Sequence, residues 1–365
     1  MNNRTKRLRG AGKSLRAGLL AAVAALALSL AGCGGTGTAD GPASSPSGTA
    51  QDSGTATLVI GAYSVAKDAL QEILPAFGRE WQAKTGQKLR FQESYEASGT
   101  QARSIVGGFK ADVAVLSLEG DMDKIVKAGL MSPDWKKTGT GGMITRSIVV
   151  LGAREGNPLG IAGFADLAKR GVKVLFPNPK VSGGAQWDIN AIYGAGLKQA
   201  ERETGQKDPA AAKAFLADVY ANVESMDKSG RASMAAFEYG VGDVIVTYEN
   251  ELLARVAQGV KYDIVTPEDT ILIENPAGVV DANADEHGVR EAAEALVAYM
   301  QSADAQAVFA EHGFRPVNKK VAERYADKYK TPAGLFNIGY LGGWGEVKKT
   351  LYSSRGVWYQ VLAGK

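Results

Sequence analysis

The stretch TLVIGAYSVAKDALQEILPAFGREW, residues 57–81, joins a β-strand pattern to a helical one. Residues 57–63 are rich in the types that favour strands. After them, apolar residues recur at three- and four-residue spacing, as in an amphipathic helix. Similar β-like runs follow, mostly separated by helical patterns: KLRFQ (88–92), DVAVLSL (112–118), SIVVLGA (147–153), VKVLF (172–176), DVIVTY (243–248), YDIVT (262–266) and ILI (271–273). This alternation predicts an α/β protein with parallel-rich sheets flanked by helices.

The body that begins with this stretch has a length of about 310 residues. One hydrophobic core rarely serves so many residues, so two lobes are expected. The near-continuous apolar runs at 112–118 and 243–248 fit strands that are covered on both faces. Open α/β sheets bind ligands beyond the carboxyl ends of their strands. The turns after these strands are therefore the predicted position of the binding site.

Basic residues precede an apolar run at the N-terminus. Six Lys or Arg residues stand within the first 16 positions, and AGLLAAVAALALSL (17–30) follows, too short to span a membrane comfortably. The next motif, Leu30-Ala31-Gly32-Cys33, resembles the lipobox of bacterial lipoproteins, where the chain is cut before a cysteine that is then lipidated. We predict a signal peptide over 1–32 and a lipid anchor on Cys33, the only cysteine of the chain. The alternative is an ordinary secretory signal beside an incidental cysteine.

Residues 33–55 have the composition of a flexible tether. From position 34 onward this segment contains no aromatic and no branched aliphatic residue, so it has nothing to bury against a core. Such a linker allows a globular body to reorient close to a membrane.

Removal of the signal peptide reverses the sign of the net charge. The full chain carries +3, and residues 1–32 hold six Lys or Arg and no Asp or Glu, so the mature chain carries 3 − 6 = −3. No basic stripe remains, which removes the compositional support for binding nucleic acid. A single cysteine also excludes an intrachain disulfide and a cysteine-based metal site. No cofactor or metal is predicted.

Four places put small residues with free backbone N–H groups at a predicted helix start: 63–65, 97–100, 182–185 and 230–233. A helix N-terminus offers unpaired N–H donors and roughly half a positive charge. Several such ends in one cleft can hold a dianion without Lys or Arg, and glycine lets the backbone approach closely. Each motif alone also fits an ordinary N-cap serine. Their joint occurrence on one α/β chain predicts an anion site.

Five segments of the chain resemble the periplasmic sulfate/thiosulfate-binding proteins of ABC importers. They are ESYEASGTQARSIVGGFKADVAVLSL (93–118), NPKVSGGAQWDINAIYG (178–194), YGVGDVIVTYENEL (239–252), YDIVTPEDTILIENPAGVVD (262–281) and FNIGYLGGWGEV (336–347). The resemblance runs from about Thr57 to the C-terminus, and it rests on these motifs occurring together in this order.

The resemblance implies a two-lobed, type II periplasmic-binding fold with the anion in the interlobe cleft. On this pattern, residues 56–145 and 276–365 form lobe 1, residues 146–275 form lobe 2, and the lobes close on the ligand about a hinge. The implied partners are a sulfate or thiosulfate ion and the transmembrane permease subunits of an ABC importer. The protein is then a non-enzymatic monomer, held by its lipid on the extracytoplasmic side of the cell membrane.

Residue by residue, the resemblance assigns backbone groups, serine hydroxyls and one aromatic donor to the anion. The first of these ligand-binding residues are Val65 (backbone), Ser98 (hydroxyl and N–H), Ser182, and Gly183 and Gly184 (backbone).

Two further assignments depart from the family pattern. The spacing from Phe237 to Gly240 is shorter than the family's, so the alignment over residues 230–233 can shift by one residue. This leaves two positions for one donor, Ala232 and Ser233. Tyr248 stands where the sulfate-type members carry a tryptophan that donates its indole N–H. A tyrosine hydroxyl reaches a different point and can accept as well as donate. Tyr248 therefore either binds the anion or closes the end of a buried strand.

An anchored enzyme is the alternative from another class. The two histidines, His287 and His312, form no metal-ligand motif, and no nucleophile elbow is present, so both are expected on solvated surface. Glu249 and Glu251 suggest acid/base work, but two residues apart on a helix they point in different directions. A solvated face or hinge contacts are the expectation for this pair.

Another anion is the remaining alternative, namely phosphate, molybdate or an organic anion. Phosphate keeps a proton at neutral pH and requires an acceptor carboxylate, which the donor-only set above does not supply. An unpaired buried hydroxyl costs about 1 to 3 kcal/mol, which favours a fully ionised anion.

Overall fold

The computed structural model describes residues 54–364. The predicted signal peptide, Cys33 and most of the predicted linker lie outside these residues. Nine strands are described: β1 (Thr55–Tyr63), β2 (Lys88–Glu96), β3 (Val113–Val115), β4 (Met143–Arg154), β5 (Val174–Leu175), β6 (Val223–Ser225), β7 (Val244–Tyr248), β8 (Tyr262–Val265) and β9 (Leu272–Val279).

Helices separate most of these strands. The described helices are α1 (Lys67–Thr85), α2 (Ser98–Val106), α3 (Glu119–Lys127), α4 (Gly183–Thr204), α5 (Pro209–Tyr220), α6 (Gly230–Glu238), α7 (Glu249–Ala257), α8 (Asp281–Glu286), α9 (Arg290–Met300), α10 (Ala303–Glu311), α11 (Lys319–Arg324), α12 (Gly343–Thr350) and α13 (Val357–Leu362). Within residues 54–364, none of them has both the length and the apolar composition that crossing a bilayer requires.

The strands form a mixed sheet in the order β2-β1-β3-β9-β4-β7-β5-β6, with β8 also paired to β4. The pairs β1–β2, β1–β3, β5–β6 and β5–β7 are parallel. The pairs that involve β4 or β9 are antiparallel. The predicted α/β class is confirmed, and the antiparallel pairs arise where these two strands join the halves of the sheet.

The strands β4 and β9 lie at the middle of this order and link its two halves. One half contains β1, β2 and β3, and the other contains β5, β6, β7 and β8. With 12 residues, β4 is long enough to pair with β9 near its start and with β7 and β8 near its end. Each half therefore contains parallel strand pairs of its own, and the antiparallel pairing of β4 with β9 joins the two halves.

The predicted helix starts agree with the structure. The motifs at 97–100, 182–185 and 230–233 begin α2, α4 and α6, and the motif at 63–65 begins the short 3₁₀ helix Ser64–Ala66. The strand runs agree less closely. DVAVLSL (112–118) forms a strand only over its second to fourth residues, 113–115, and the strand β6 was not predicted from the sequence.

The C-terminal segment packs against helices and strands of the second half. The Trp358 ring on α13 lies 5.3 Å from that of Tyr220 on α5 and 6.2 Å from that of Phe176, which follows β5. Trp344 on α12 makes an edge-on contact of 4.8 Å with Trp187 on α4. The lobe boundaries given above stay a prediction, and these contacts place the last two helices beside residues assigned to 146–275.

Candidate functional site

One small cavity lies where the helix starts of the two halves meet. Its volume is about 20 Å³, enough to hold about one water molecule. Its lining is made of residues that end strands or begin helices: Tyr63, Ser64, Val65, Ala97, Ser98, Ser117, Pro177, Ser182, Gly184, Asp188, Ser229, Gly230, Thr247, Tyr248 and Glu251. Five of the predicted ligand residues are therefore brought together.

At several places along the chain, the end of a strand or a loop leads directly into a helix that begins at this cavity. The strands β1, β2 and β7 each end within two residues of a helix start at the cavity, and α4 and α6 begin there after a loop. The first N–H groups of a helix have no partner inside it, and they carry its partial positive charge. Because helices of both halves begin at the cavity, its wall presents a set of such donors to an anion.

Ser98 is the first residue of α2, and its hydroxyl is already engaged. The Oγ donates to Asp121 Oδ2 at 2.6 Å and accepts from the Ser117 backbone N–H at 3.0 Å. Asp121 in turn pairs with Lys124 at 2.6 Å. The hydroxyl proton of Ser98 is thus already donated to an acceptor within the protein. The group of Ser98 that can still donate to a ligand in the cavity is its backbone N–H.

Ser182 caps α4 and keeps its own proton free. Its Oγ accepts from the Ala185 N–H at 3.4 Å, an interaction that leaves the hydroxyl hydrogen available. A Cβ built on Gly183 would stand 2.6 Å from Ser117 Oγ. A Cβ on Gly184 would stand 3.6 Å from the Tyr248 ring, an ordinary contact. Gly183 is therefore held by tight packing, whereas Gly184 itself lines the cavity.

The start of α6 places different residues at the cavity from the two that were predicted. The Ala232 N–H donates to Ser229 Oγ at 3.1 Å, and the Ser233 hydroxyl donates to Asp227 at 2.9 Å. Both groups are satisfied inside the protein. The cavity is lined instead by Ser229 and Gly230, the N-cap and first residue of this helix. The N-cap preference for serine is the signal that identifies Ser229.

Tyr248 ends β7 and is buried, as is its hydroxyl partner Ser117. The Tyr248 OH lies 2.8 Å from Ser117 Oγ. Burial raises the pKa of the Tyr248 phenol well above its ordinary value, so the phenol is neutral and can donate. Sequence reasoning missed Ser117 as a site residue, although it stands in the turn after β3, where the carboxyl-end rule indicates a ligand.

Two buried carboxyl groups also line the cavity, and neither was predicted there from the sequence. Asp188 on α4 is 1% exposed, and Glu251 on α7 is 4% exposed. Glu251 accepts from Thr247 at 3.1 Å and lies 3.4 Å from the Arg231 guanidinium. Of the two expectations for Glu251, a solvated face or hinge contacts, the solvated face is wrong, because the first turn of this helix is buried.

The expectation of a solvated face was also wrong for Glu249. Its carboxylate lies in the interior and forms a two-pronged ion pair with Arg315 at 2.7 and 2.9 Å. Both histidines are partly exposed, and each pairs with a single carboxylate, His287 with Asp112 and His312 with Glu72. Across residues 54–364, no cluster of three or more His, Cys, Asp or Glu side chains is arranged to hold a metal ion.

Comparisons with known proteins cover most of this chain. The sequence model of the family described as "Bacterial extracellular solute-binding protein" matches residues 58–315. A sulfate-binding protein of Synechococcus elongatus is 37% identical over 93% of this chain and 95% of its own length. A thiosulfate-binding protein of Escherichia coli is 31% identical over 84% of this chain and 91% of its own. Among solved structures, the sulfate-binding protein SubI from Mycobacterium tuberculosis H37Rv is similar at 34% identity and a TM-score of 0.75, covering 82% of this chain and 100% of that one.

Proposed function

Because this chain belongs to the family of bacterial extracellular solute-binding proteins, we propose that it captures sulfate or thiosulfate outside the cytoplasm and delivers the ion to the membrane permease of an ABC importer. The observation that carries this proposal is the convergence of helix N-termini from both halves on one small cavity. Relatives named for sulfate and for thiosulfate, each alignable over most of this chain, support it.

The chemistry of the cavity fits a small tetrahedral anion. Its described lining offers helix N–H groups and the hydroxyls of Ser182, Ser229 and the Ser117–Tyr248 pair, with no Lys or Arg among the lining residues. Neutral donors fixed at helix ends can stabilise a dianion without the desolvation cost of a buried cation. The volume of about 20 Å³ is far below the several hundred Å³ typical of sites for organic ligands.

Phosphate is the second candidate, and one observation favours it. The donor-only set predicted from the sequence gave no acceptor for the proton that phosphate keeps at neutral pH, but Asp188 and Glu251 lie at the cavity. An ionised carboxylate there would accept that proton in a hydrogen bond. The choice between a fully ionised and a protonated oxyanion therefore depends on the state of these carboxyls.

Calorimetric titration of the purified body, residues 54–365, separates these candidates. Sulfate, thiosulfate, phosphate and molybdate are each titrated under the same conditions. The proposal predicts saturable one-site binding of sulfate or thiosulfate and at least tenfold weaker binding of phosphate, which corresponds to about 1.4 kcal/mol. Preferential binding of phosphate, or no binding of any oxyanion, would contradict it.

The remaining parts of the proposal concern the lobes and the anchor. Residues 56–145 with 276–365 and residues 146–275 act as two lobes that close on the anion, with β4 and β9 as the hinge and with α12 and α13, at the end of the first set, packed on the second lobe. Val65 and Ser98 come from the first lobe and Ser182 from the second, so a ligand that contacts all three favours the closed form. The protein acts as a monomer and has no enzymatic activity, and the lipid on Cys33 holds it on the extracytoplasmic side of the membrane.

Small-angle scattering tests the closure. Saturating sulfate is expected to reduce the radius of gyration of the body. An unchanged radius at saturation would contradict the two-lobe closure and leave the anion assignment standing.

A further inference from the structure

Asp188 occupies a defined position under the N-terminus of α4. It stands four residues after Gly184, which places both residues on the same face of the helix. Helix side chains lean toward the N-terminus, so the Asp188 carboxyl reaches back toward the first turn, where Ser182 and Gly184 line the cavity. Asp188 is 1% exposed, and its Oδ1 has no hydrogen-bond partner among the described residues.

The other acids in this region have partners that Asp188 does not have. Glu251 lies beside Arg231 and Thr247, and Asp121 pairs with Lys124 and Ser98. The cavity lining contributes no Lys or Arg that could neutralise a carboxylate at Asp188.

The titratable groups around Asp188 add no positive charge. They are Glu251 on α7, Tyr248 at the end of β7, Tyr63 at the end of β1, and Tyr352, which follows α12. Burial raises the pKa of all three phenols, so these tyrosines are neutral. Glu251 is thus the one further acid in this group, and a negative charge on it disfavours a second one on Asp188.

We propose that Asp188 binds the anion as a neutral carboxylic acid, donating its O–H to an oxygen of the bound ion, so that anion binding is coupled to proton uptake. This inference rests on the proposed function, that is, on a fully ionised oxyanion in the cavity. A carboxylic acid offers one O–H donor, whereas a carboxylate offers only acceptors. An ionised Asp188 would place a third negative charge beside the dianion without a counter-ion, an arrangement that burial makes costly.

The direction of the pH effect follows from this coupling. Burial, and after it the charge of Glu251, raises the pKa of the Asp188 carboxyl well above its ordinary value. A bound dianion raises that pKa further, because it favours the protonated form. The bound state therefore holds more protons than the free state between the two pKa values, and affinity falls as pH rises through that window. For one coupled proton the limit is about tenfold per pH unit.

The same carboxyl also contributes to specificity. Sulfate and thiosulfate present only acceptor oxygens at neutral pH, so each matches an O–H donor at Asp188. Hydrogen phosphate presents an O–H of its own, which matches an ionised Asp188. The protonation state of this one residue thus selects between the two kinds of oxyanion.

The test is titration calorimetry of the full soluble body with sulfate, in pairs of buffers that differ in ionisation enthalpy, from about pH 5 to about pH 9. The wild type should take up as much as one proton on binding, and its Kd should rise with pH by as much as about tenfold per unit. Asp188→Asn should bind with no proton uptake and with a flat pH profile, because the amide N–H donates at every pH. Asp166→Asn, an acid outside the cavity, is the matched control and should behave as the wild type.

Several results of this titration would contradict the inference. Sulfate binding by the wild type without proton uptake, or proton uptake that persists in Asp188→Asn, would overturn the inference and leave the proposed function intact. Tighter binding of phosphate than of sulfate, lost in Asp188→Asn, would show that Asp188 is an acceptor and would overturn both. Thermal unfolding of each variant establishes that it is folded. If Asp188→Asn does not fold, Glu251→Gln is the second variant, and loss of the proton uptake in Glu251→Gln would assign the proton to Glu251 and overturn the inference.

Discussion

The hydroxyl of Tyr248 lies 2.8 Å from Ser117 Oγ, so the end of β7 is hydrogen-bonded to the turn after β3. These strands belong to different halves of the sheet. Two hydroxyls hold two protons, and their mutual hydrogen bond uses one of them. The other proton remains for a ligand in the cavity that both residues line. Whether that proton is donated to a bound anion distinguishes the two interpretations of Tyr248, a ligand donor or a residue that closes the end of a buried strand.

Removing only that hydroxyl tests the arrangement. Tyr248→Phe is expected to weaken sulfate binding about tenfold or more, because a donor to a buried charge contributes about 1.5 to 3 kcal/mol. Calorimetry measures the Kd, with Ser117→Ala as the partner variant. If the pair acts as a unit, the double variant should lose no more than the larger single loss. Unchanged affinity in Tyr248→Phe would make this residue a packing residue.

The serines at the starts of α2 and α4 are expected to differ in the kind of loss they cause. Ser182→Ala should weaken sulfate binding by roughly ten- to over a hundredfold, since its proton is free for the ligand, and it should lower stability by about 1 kcal/mol through the lost N-cap. Ser98→Ala also leaves Asp121 and the Ser117 N–H without their shared partner. Ser98→Ala should therefore lower the melting temperature as well as the affinity. An equal loss of stability in Ser98→Ala and Ser182→Ala would contradict the expectation that only the Ser98 hydroxyl holds a buried network together.

Gly183 and Gly184 make a matched pair for steric tests. A Cβ on Gly183 would stand 2.6 Å from Ser117 Oγ and 3.0 Å from the Leu118 side chain, so Gly183→Ala should disturb both packing and binding. A Cβ on Gly184 meets only ordinary contacts at 3.4 and 3.6 Å, so Gly184→Ala should fold normally. Gly184→Val should then lose sulfate affinity while keeping its melting temperature, because the branched side chain fills the anion's approach to the backbone. Full affinity in Gly184→Val would place the anion elsewhere.

The buried pair Arg315–Glu249 ties α7 to the segment after α10. Arg315→Ala leaves the Glu249 carboxylate buried without its counter-ion and should lower the free energy of unfolding by about 3 to 5 kcal/mol, measured by urea denaturation. Arg290→Ala is the control, because the ion pairs of Arg290 are partly exposed to solvent, unlike the buried Arg315–Glu249 pair, and should contribute about 1 kcal/mol or less. Similar losses in the two variants would contradict a structural role for the buried pair.

The lipid anchor is tested at Cys33. Cys33→Ser removes the thiol that the lipobox-like motif presents for lipidation, so the protein should leave the membrane fraction or remain unprocessed. Sulfate binding by the soluble body should not change, because that body begins after this position. Membrane retention of a normally processed Cys33→Ser protein would contradict the lipoprotein assignment.

The sequence by itself determined those features that depend on neighbouring residues. Strand and helix periods predicted the α/β class, and serine and glycine at the right spacing predicted the starts of α2, α4 and α6. The family resemblance assigned ligand roles to Val65, Ser98, Ser182 and Gly184, which already stood in the helix-start motifs, and it added Tyr248. The structure brings these five residues to one cavity, whereas the predicted Gly183, Ala232 and Ser233 do not line it. These predictions succeed because backbone conformation and helix capping are set within a few residues along the chain.

Tertiary structure alone decided which distant residues meet. Ser117 and Tyr248 are 131 positions apart, and Arg315 and Glu249 are 66 apart, so no local pattern marks either contact. The antiparallel pairing of β4 with β9 likewise follows from how the two halves join. In the sequence, Asp188 looks like an ordinary polar residue of a helix. It is a buried acid only because the strands and helices packed against α4 exclude water from its carboxyl.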